Sequence, residues 1–251
     1  MASQSSSNNL HEPLVVKGAT QPTKLLILGG TGFIGTQICK LALDQGLSVS
    51  SLSRSGRSSI REPWADKVEW HKGNLLEPES LKGAMTGVTA VISLVGGFGS
   101  YEEMIQMNGT ANINAIKVAA EKGVERFVFI SAADFGAVES LIRGYHEGKR
   151  LAEAELQSKF PEKCVILRPG YVYGTKQLGS MKLPLGPIFA PFEMVLQHLG
   201  PLRRLPLVGP FFTPPISVAA VAKLTLRGAT DPAFPRGAID IHDMIRLSKQ
   251  K

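Results

Sequence analysis

From residue 24 onward the apolar positions fall into two alternating rhythms. KLLILG is a short unbroken apolar run, the length of a buried strand. FIGTQICKLALDQG follows with helical spacing and stops at Gly46. LSVSSLS predicts a second strand, VEWHKGNL a third, and PESLKGAM a short helix opened by Pro78. TAVISLVG is a fourth strand, and YEEMIQMNGTANINAIKVAAEKG a long helix closed by Gly123. ERFVFIS is a fifth strand, residues 138–159 a further helix, and KCVILRP a sixth strand stopped by Pro169. Strands alternating with helices of this length predict βαβ units. The expected fold class is therefore α/β, a doubly wound parallel sheet of the Rossmann kind.

After Pro169 the pattern changes. Residues 183–216 are dense in proline and large apolar side chains, with a short helix expected near 191–199. SVAAVAKLTLRGA predicts a last helix and GAIDIH a last strand. Residues 170–251 are expected to form a small substrate or lid region on a domain spanning 24–251. The first 23 residues, rich in Ser, Asn and Gln, lack a periodic apolar face and are expected to be disordered. They have neither the apolar core of a secretory signal nor the arginines of a complete transit peptide. No internal repeat is apparent.

Composition narrows the partners. Hydrophobic residues make up 43% of the 251 and charged residues 20%, with a formal charge of +7. That balance suits a globular protein with a basic surface or an acidic ligand. No run of Lys/Arg exceeds two and no RNA-binding signature occurs, so nucleic acid is not expected. Cys39 and Cys164 lie in apolar surroundings and read as reduced core residues. No histidine pair has metal-ligand spacing, and no metal is expected.

The chemistry begins at GGTGFIG, residues 29–35, placed between a strand and a helix. Gly29, Gly32 and Gly35 would give a tight turn, close approach of backbone to a pyrophosphate, and close helix–strand packing. The helix N-terminus would offer its N–H groups to the phosphates. Thr31, Phe33 and Ile34 belong to the same loop. The second strand ends SLSRSGR, with no carboxylate for a ribose 2′-hydroxyl. Arg54 and Arg57 are there instead, and a guanidinium suits a 2′-phosphate. NADP(H) is thus expected over NAD(H), with Arg54 the better reader of the phosphate.

These segments resemble the short-chain dehydrogenase/reductase superfamily in its extended and atypical branches. GGTGFIG resembles the cofactor loop, GNLLEPESL the loop that holds adenine, and VISLVGG the strand-four region. NGTANINAIKVAAEKGVERFVFIS resembles the long helix and fifth strand, and ILRPGYVYG the turn past the nicotinamide. The resemblance implies further cofactor contacts at Asn74, where the family more often has Asp, and at Leu75, Val95, Lys149 and Pro169. It also implies a Ser131, Tyr145, Lys149 catalytic triad. In that triad a lysine ammonium one helical turn from the tyrosine lowers the phenol's pKa, and the serine orients a carbonyl. A Tyr and a Lys four apart also occur on ordinary helices, and the lysine can persist where the cofactor is only bound. Asn108 and Asn112 are candidates for a proton relay or for helix-surface amides.

Within the superfamily the chain is similar to an atypical mitochondrial group. That group holds the Rossmann-type accessory subunit of complex I and a coenzyme Q biosynthesis protein, the second being the better match. The resemblance implies an NADP(H)-binding protein in or supporting mitochondrial coenzyme Q metabolism, with a plastid as the alternative compartment. The alternatives are a non-catalytic cofactor-binding subunit that stabilises or regulates a mitochondrial complex, and a sugar-nucleotide epimerase or dehydratase. The short apolar C-terminal region argues against the epimerase. Phe189, Phe192, Phe211 and Phe212 with Arg203 and Arg204 suggest a pocket for a lipophilic substrate or quinone intermediate, a membrane-surface or complex contact, or a small lid core.

Overall fold

The computed structural model describes residues 23–56, 60–134, 142–178, 181–184 and 213–250. Seven strands form one sheet: β1 (Lys24–Leu28), β2 (Ser48–Ser53), β3 (Glu69–Lys72), β4 (Ala90–Ser93), β5 (Arg126–Ile130), β6 (Cys164–Leu167) and β11 (Gly237–Ile239). Their order is β11-β6-β5-β4-β1-β2-β3, and every pairing is parallel. Two small pairs complete the strands. β7 (Val172–Tyr173) lies parallel to β10 (Ile216–Ser217), and β8 (Thr175–Leu178) antiparallel to β9 (Met181–Pro184).

A strand covered on both faces needs apolar side chains in both directions, which is why KLLIL shows no alternation. Leu25 and Ile27 enter one core, Leu26 and Leu28 the other. The first core takes Ile38 and Ala42 from α1 (Phe33–Asp44), Val221 and Leu224 from α5 (Val218–Thr230), and Met244 and Leu247 from α6 (Ile241–Ser248). The second takes Ala115 and Ile116 from α3 (Ala111–Glu121), and Ala152 and Leu156 from α4 (Arg143–Lys159). Helices on both faces of a parallel sheet make the doubly wound fold the periodicity predicts.

Three departures from the sequence reading have local causes. The long helix is not regular: α2 (Tyr101–Ile105) runs into one π-helical turn at Gln106–Thr110 before α3. The predicted strand over GAIDIH ends at Ile239, because the Asp240 side chain accepts from the N–H of His242 (2.8 Å) and Asp243 (2.9 Å) and caps α6. The short helix after Pro78 is a single 3-10 turn, Pro78–Leu81.

The expected disorder of residues 1–23 falls outside the described residues except at Thr23. So do the helix near 191–199 and the aromatic and arginine side chains of 183–216. Among the described residues no helix is long and apolar enough to cross a membrane, and no group of side chains could hold a metal ion.

Candidate functional site

The strand order reverses direction at β1, flanked by β2 on one side and β4 on the other. Crossovers leave β1 and β4 to opposite faces, so a crevice opens at their carboxyl ends. The glycine loop sits there. Gly29 has φ +95°, a left-handed conformation that glycine adopts without strain. A Cβ on Gly35 would run into the carbonyl oxygen of Gly29 and lie 2.7 Å from Gly30 Cα, so α1 can approach β1 only through glycine. Gly32 is the N-cap residue of α1, exposed, and its carbonyl begins the helix by accepting from Thr36 N–H at 3.0 Å.

No side chain caps α1, and its first turn carries no acid. The N–H groups of its first turn and the positive end of its dipole are therefore left for an anion. This cradle fits the diphosphate of a dinucleotide. Thr31 is exposed beside it, Phe33 half-buried, and Ile34 lines the cleft that continues from the loop.

Arg54 is exposed on the turn after β2. Gly56, at φ +76°, closes that turn, and the Ser53 hydroxyl donates to its carbonyl at 2.9 Å. Arg57 lies outside the described residues. Asn74 shapes its own turn: its side-chain Oδ1 accepts from Leu76 N–H at 3.1 Å and its Nδ2 donates to the Glu77 carboxylate at 3.0 Å. Leu75 is buried beneath it, and its carbonyl accepts from Asn114 at 2.9 Å.

A cleft of about 490 Å³ joins the glycine loop to the dyad; Ile34, Ser131, Tyr145, Lys149 and Pro169 all line it. The structure therefore brings Ser131, Tyr145 and Lys149 to one place. Its electrostatics differ from the sequence expectation in two respects.

First, Lys149 does not lower the tyrosine. Its Nζ donates to the carbonyls of Ile130 (2.9 Å) and Val95 (3.0 Å) and sits 4.7 Å from the centre of the Phe129 ring. Burial pushes its pKa down to about 7, against which the Glu153 carboxylate pulls weakly upward. The Tyr145 phenol moves the other way: burial raises it, and Arg150 lowers it less. The ring of Tyr145 stacks on Phe98 (centroids 4.8 Å apart) and meets the buried His146 edge-on at 5.4 Å.

Second, the Ser131 hydroxyl is already engaged. It donates to Glu153 and accepts from Arg150 Nη1 at 3.2 Å. The residue after it on the cleft wall is Ala132, which has no hydroxyl.

Glu153 is the residue the sequence reading missed. Its side chain, 5% exposed, is held by Arg150 on its own helix and by both Nε (3.0 Å) and Nη2 (2.5 Å) of Arg168 after β6. Arg150 continues to Asp134 and to the Ala132 carbonyl. One carboxylate thus ties α4 to the ends of β5 and β6. The signal was present in KRLAEAEL: Glu153 lies four residues after Lys149 and one after the buried Ala152, on the inward face of the helix.

Asn108 and Asn112 are neither surface amides nor cleft groups; both are fully buried. Asn108 holds Gly97 from both sides, accepting from its N–H (3.2 Å) and donating to its carbonyl (2.9 Å). Asn112 accepts from Ser93 (2.6 Å) and donates to the Val95 carbonyl (3.2 Å). Together they fix the chain after β4, Asn108 from within the π-helical turn and Asn112 from the start of α3.

Lys149 also makes stability depend on pH. Between its folded value near 7 and its ordinary 10.5 the unfolded chain binds more protons than the folded one. Unfolding free energy therefore rises with pH across that window, and the burial cost is fully present below pH 7. The contribution is on the order of 5 kcal/mol over the full range. Urea unfolding at pH 7 and pH 9.5 is expected to show this rise in the native protein and to lose most of it in Lys149→Met. An unchanged slope in the variant would mean the rise has another source.

Comparison with known proteins agrees with this geometry. Residues 29–182 match the family described as NAD(P)H-binding. A chloroplastic uncharacterized protein of Arabidopsis thaliana is 36% identical over 234 residues, covering 91% of this chain and 79% of its own. The mitochondrial protein fmp-52 of Neurospora crassa is 28% identical over 170 residues, covering 62% of this chain and 67% of its own. The crystal structure of the Bordetella bronchiseptica enzyme WbmH in complex with NAD+ superposes with a TM-score of 0.61 at 18% identity, covering 87% of this chain and 74% of that one.

Proposed function

Because this chain belongs to the NAD(P)H-binding family, we propose that it is an NADP(H)-dependent reductase of the atypical short-chain dehydrogenase/reductase kind, acting on a lipophilic carbonyl or quinone. The observation that carries the proposal is that the glycine-loop residue Ile34, Tyr145 and Lys149 all line one cleft. A bound reduced nicotinamide supplies hydride to a carbonyl carbon. Tyr145, kept protonated by burial, donates its phenolic proton to the carbonyl oxygen and regains one from water at the cleft mouth. Lys149, when charged, has a third N–H beyond those given to Val95 and Ile130, and this one suits a ribose hydroxyl. Gly29, Gly32 and Gly35 with the α1 N-terminus hold the diphosphate. Asn74 and Leu75 border the adenine, while Val95 and Pro169 flank the nicotinamide side. The mainly apolar lining, with Leu94, Ile130, Ile142 and Val172, favours a lipophilic substrate. We place its work in an organelle, with mitochondrial coenzyme Q metabolism as the setting and a plastid as the alternative.

Arg54 would read the 2′-phosphate. Arg54→Ala is expected to weaken NADPH about tenfold or more, the worth of a charge-assisted contact, and to leave NADH within about twofold. Equal losses in calorimetric titrations would remove Arg54 from that role.

A second reading, a cofactor-binding subunit without turnover, is favoured by the engaged Ser131. With that hydroxyl held by Glu153 and Ala132 next on the wall, a carbonyl would meet one side-chain donor, not two. The test is NADPH oxidation by 2,3-dimethyl-1,4-naphthoquinone. Loss of about 100-fold or more in rate on Tyr145→Phe, with NADPH binding unchanged, supports the reductase. NADPH binding without any Tyr145-dependent oxidation supports the subunit.

A further inference from the structure

Phe98 is a large apolar side chain left 67% exposed at the lip of the cleft. Its neighbours hold it there. On one side the buried Asn108 fixes Gly97 through both backbone groups. On the other, Ser100 and Glu103 close a reciprocal cap, with Ser100 N–H donating to Glu103 at 2.8 Å and Glu103 N–H to the Ser100 hydroxyl at 3.2 Å. One face of the ring rests on Tyr145, with planes 15° apart. The ring is therefore anchored at two points, supported from behind, and, among the described residues, open in front. Tyr171, 49% exposed, lies on the lining of the same cleft. An aromatic ring displayed so firmly toward solvent, in a cleft with few polar side chains, is built to receive another flat apolar surface.

We propose that Phe98 is a specificity-determining residue: its open face stacks a planar conjugated ring of the substrate outside the reacting carbonyl, because the Phe98 ring itself stands between that face and Tyr145. The substrate class is thereby narrowed from lipophilic carbonyls in general to those that also carry a flat, conjugated ring, and this rests on the reductase reading of the same cleft.

The test uses the full chain saturated with NADP+, so that no turnover occurs, and measures binding of 2,3-dimethyl-1,4-naphthoquinone against the saturated bicyclic ketone 1-decalone. The methyl groups block addition of thiols to the ring. Phe98→Leu keeps apolar bulk and loses the flat face; Phe98→Tyr keeps it. The native protein and Phe98→Tyr are expected to share one preference ratio for the naphthoquinone. In Phe98→Leu that ratio should fall about threefold to tenfold, the range an aromatic pair supplies. NADP+ affinity should not change, and the melting temperature should fall only slightly, since Phe98 belongs to neither core and gives up only its stack on Tyr145. An undiminished ratio in Phe98→Leu overturns the proposal, and so does failure of the naphthoquinone to bind the native protein. Failure of NADP+ to bind would instead sink the cofactor reading, and the ratio measured without cofactor would still decide the role of Phe98.

Discussion

Glu153→Ala is expected to lower the unfolding free energy by about 3–5 kcal/mol, the cost of removing one partner from a buried ion pair. The side chain is 5% exposed, and its carboxylate is the common acceptor for Ser131, Arg150 and Arg168. Without it two guanidinium groups with side chains about 30% exposed face each other across the gap left by one anion. Repulsion and incomplete solvation then act together. Glu153→Gln keeps the shape and one acceptor oxygen and should lose less. Urea unfolding at pH 7 reads both. A loss below about 1 kcal/mol for the alanine variant would class the cluster with solvated surface pairs. The consequence for the site is positional. α4 carries Tyr145 and Lys149, and Glu153 joins that helix to the ends of β5 and β6, so loosening it should also loosen the dyad.

Gly32→Val is expected to abolish dinucleotide binding while leaving the fold nearly intact. A Cβ at Gly32 would meet Gly29 O at 3.1 Å and no other atom within 4 Å, so the loop can absorb it with a small shift. The valine methyl groups would nevertheless stand where the diphosphate must approach the backbone. Losing two charge-assisted N–H contacts, each worth about 1.5–3 kcal/mol, weakens binding by about 100-fold or more. Gly35 is the poorer test, because its Cβ would strike Gly29 and Gly30 and disturb the loop itself. A Gly32→Val protein that melts like the native one and binds NADPH normally would remove the loop from the account.

The parts of the fold that the sequence displays are those decided by local burial. KLLIL, AVIS and CVIL are runs of buried side chains because both faces of the sheet are covered, and their parallel pairing follows from helices alternating with them. The glycine spacing was legible for a similar reason: Gly29 and Gly35 answer to a backbone conformation and a backbone contact that no other residue satisfies. What stayed hidden depends on partners distant in sequence. Nothing near Ser131 shows that Glu153, 22 residues on, takes its hydroxyl. Nothing in YxxxK shows whether the lysine will sit in water or between the carbonyls of Val95 and Ile130, and that placement decides its charge. The π-helical turn is equally silent in QMNGT, although two buried asparagines four apart are the reason it serves the loop after β4. The last helix was readable and was overlooked: Asp240 followed by Ile241, Met244, Ile245 and Leu247 is a capped amphipathic turn pattern.

The central claim is that the crevice at the carboxyl ends of β1 and β4 holds a dinucleotide with NADP(H) preferred. Calorimetric titration of the native protein with NADPH and with NADH tests it most directly. The account predicts one-to-one binding of NADPH, with NADH about tenfold weaker or worse. Absence of binding by either dinucleotide, at concentrations where the protein is folded and stable, would contradict it.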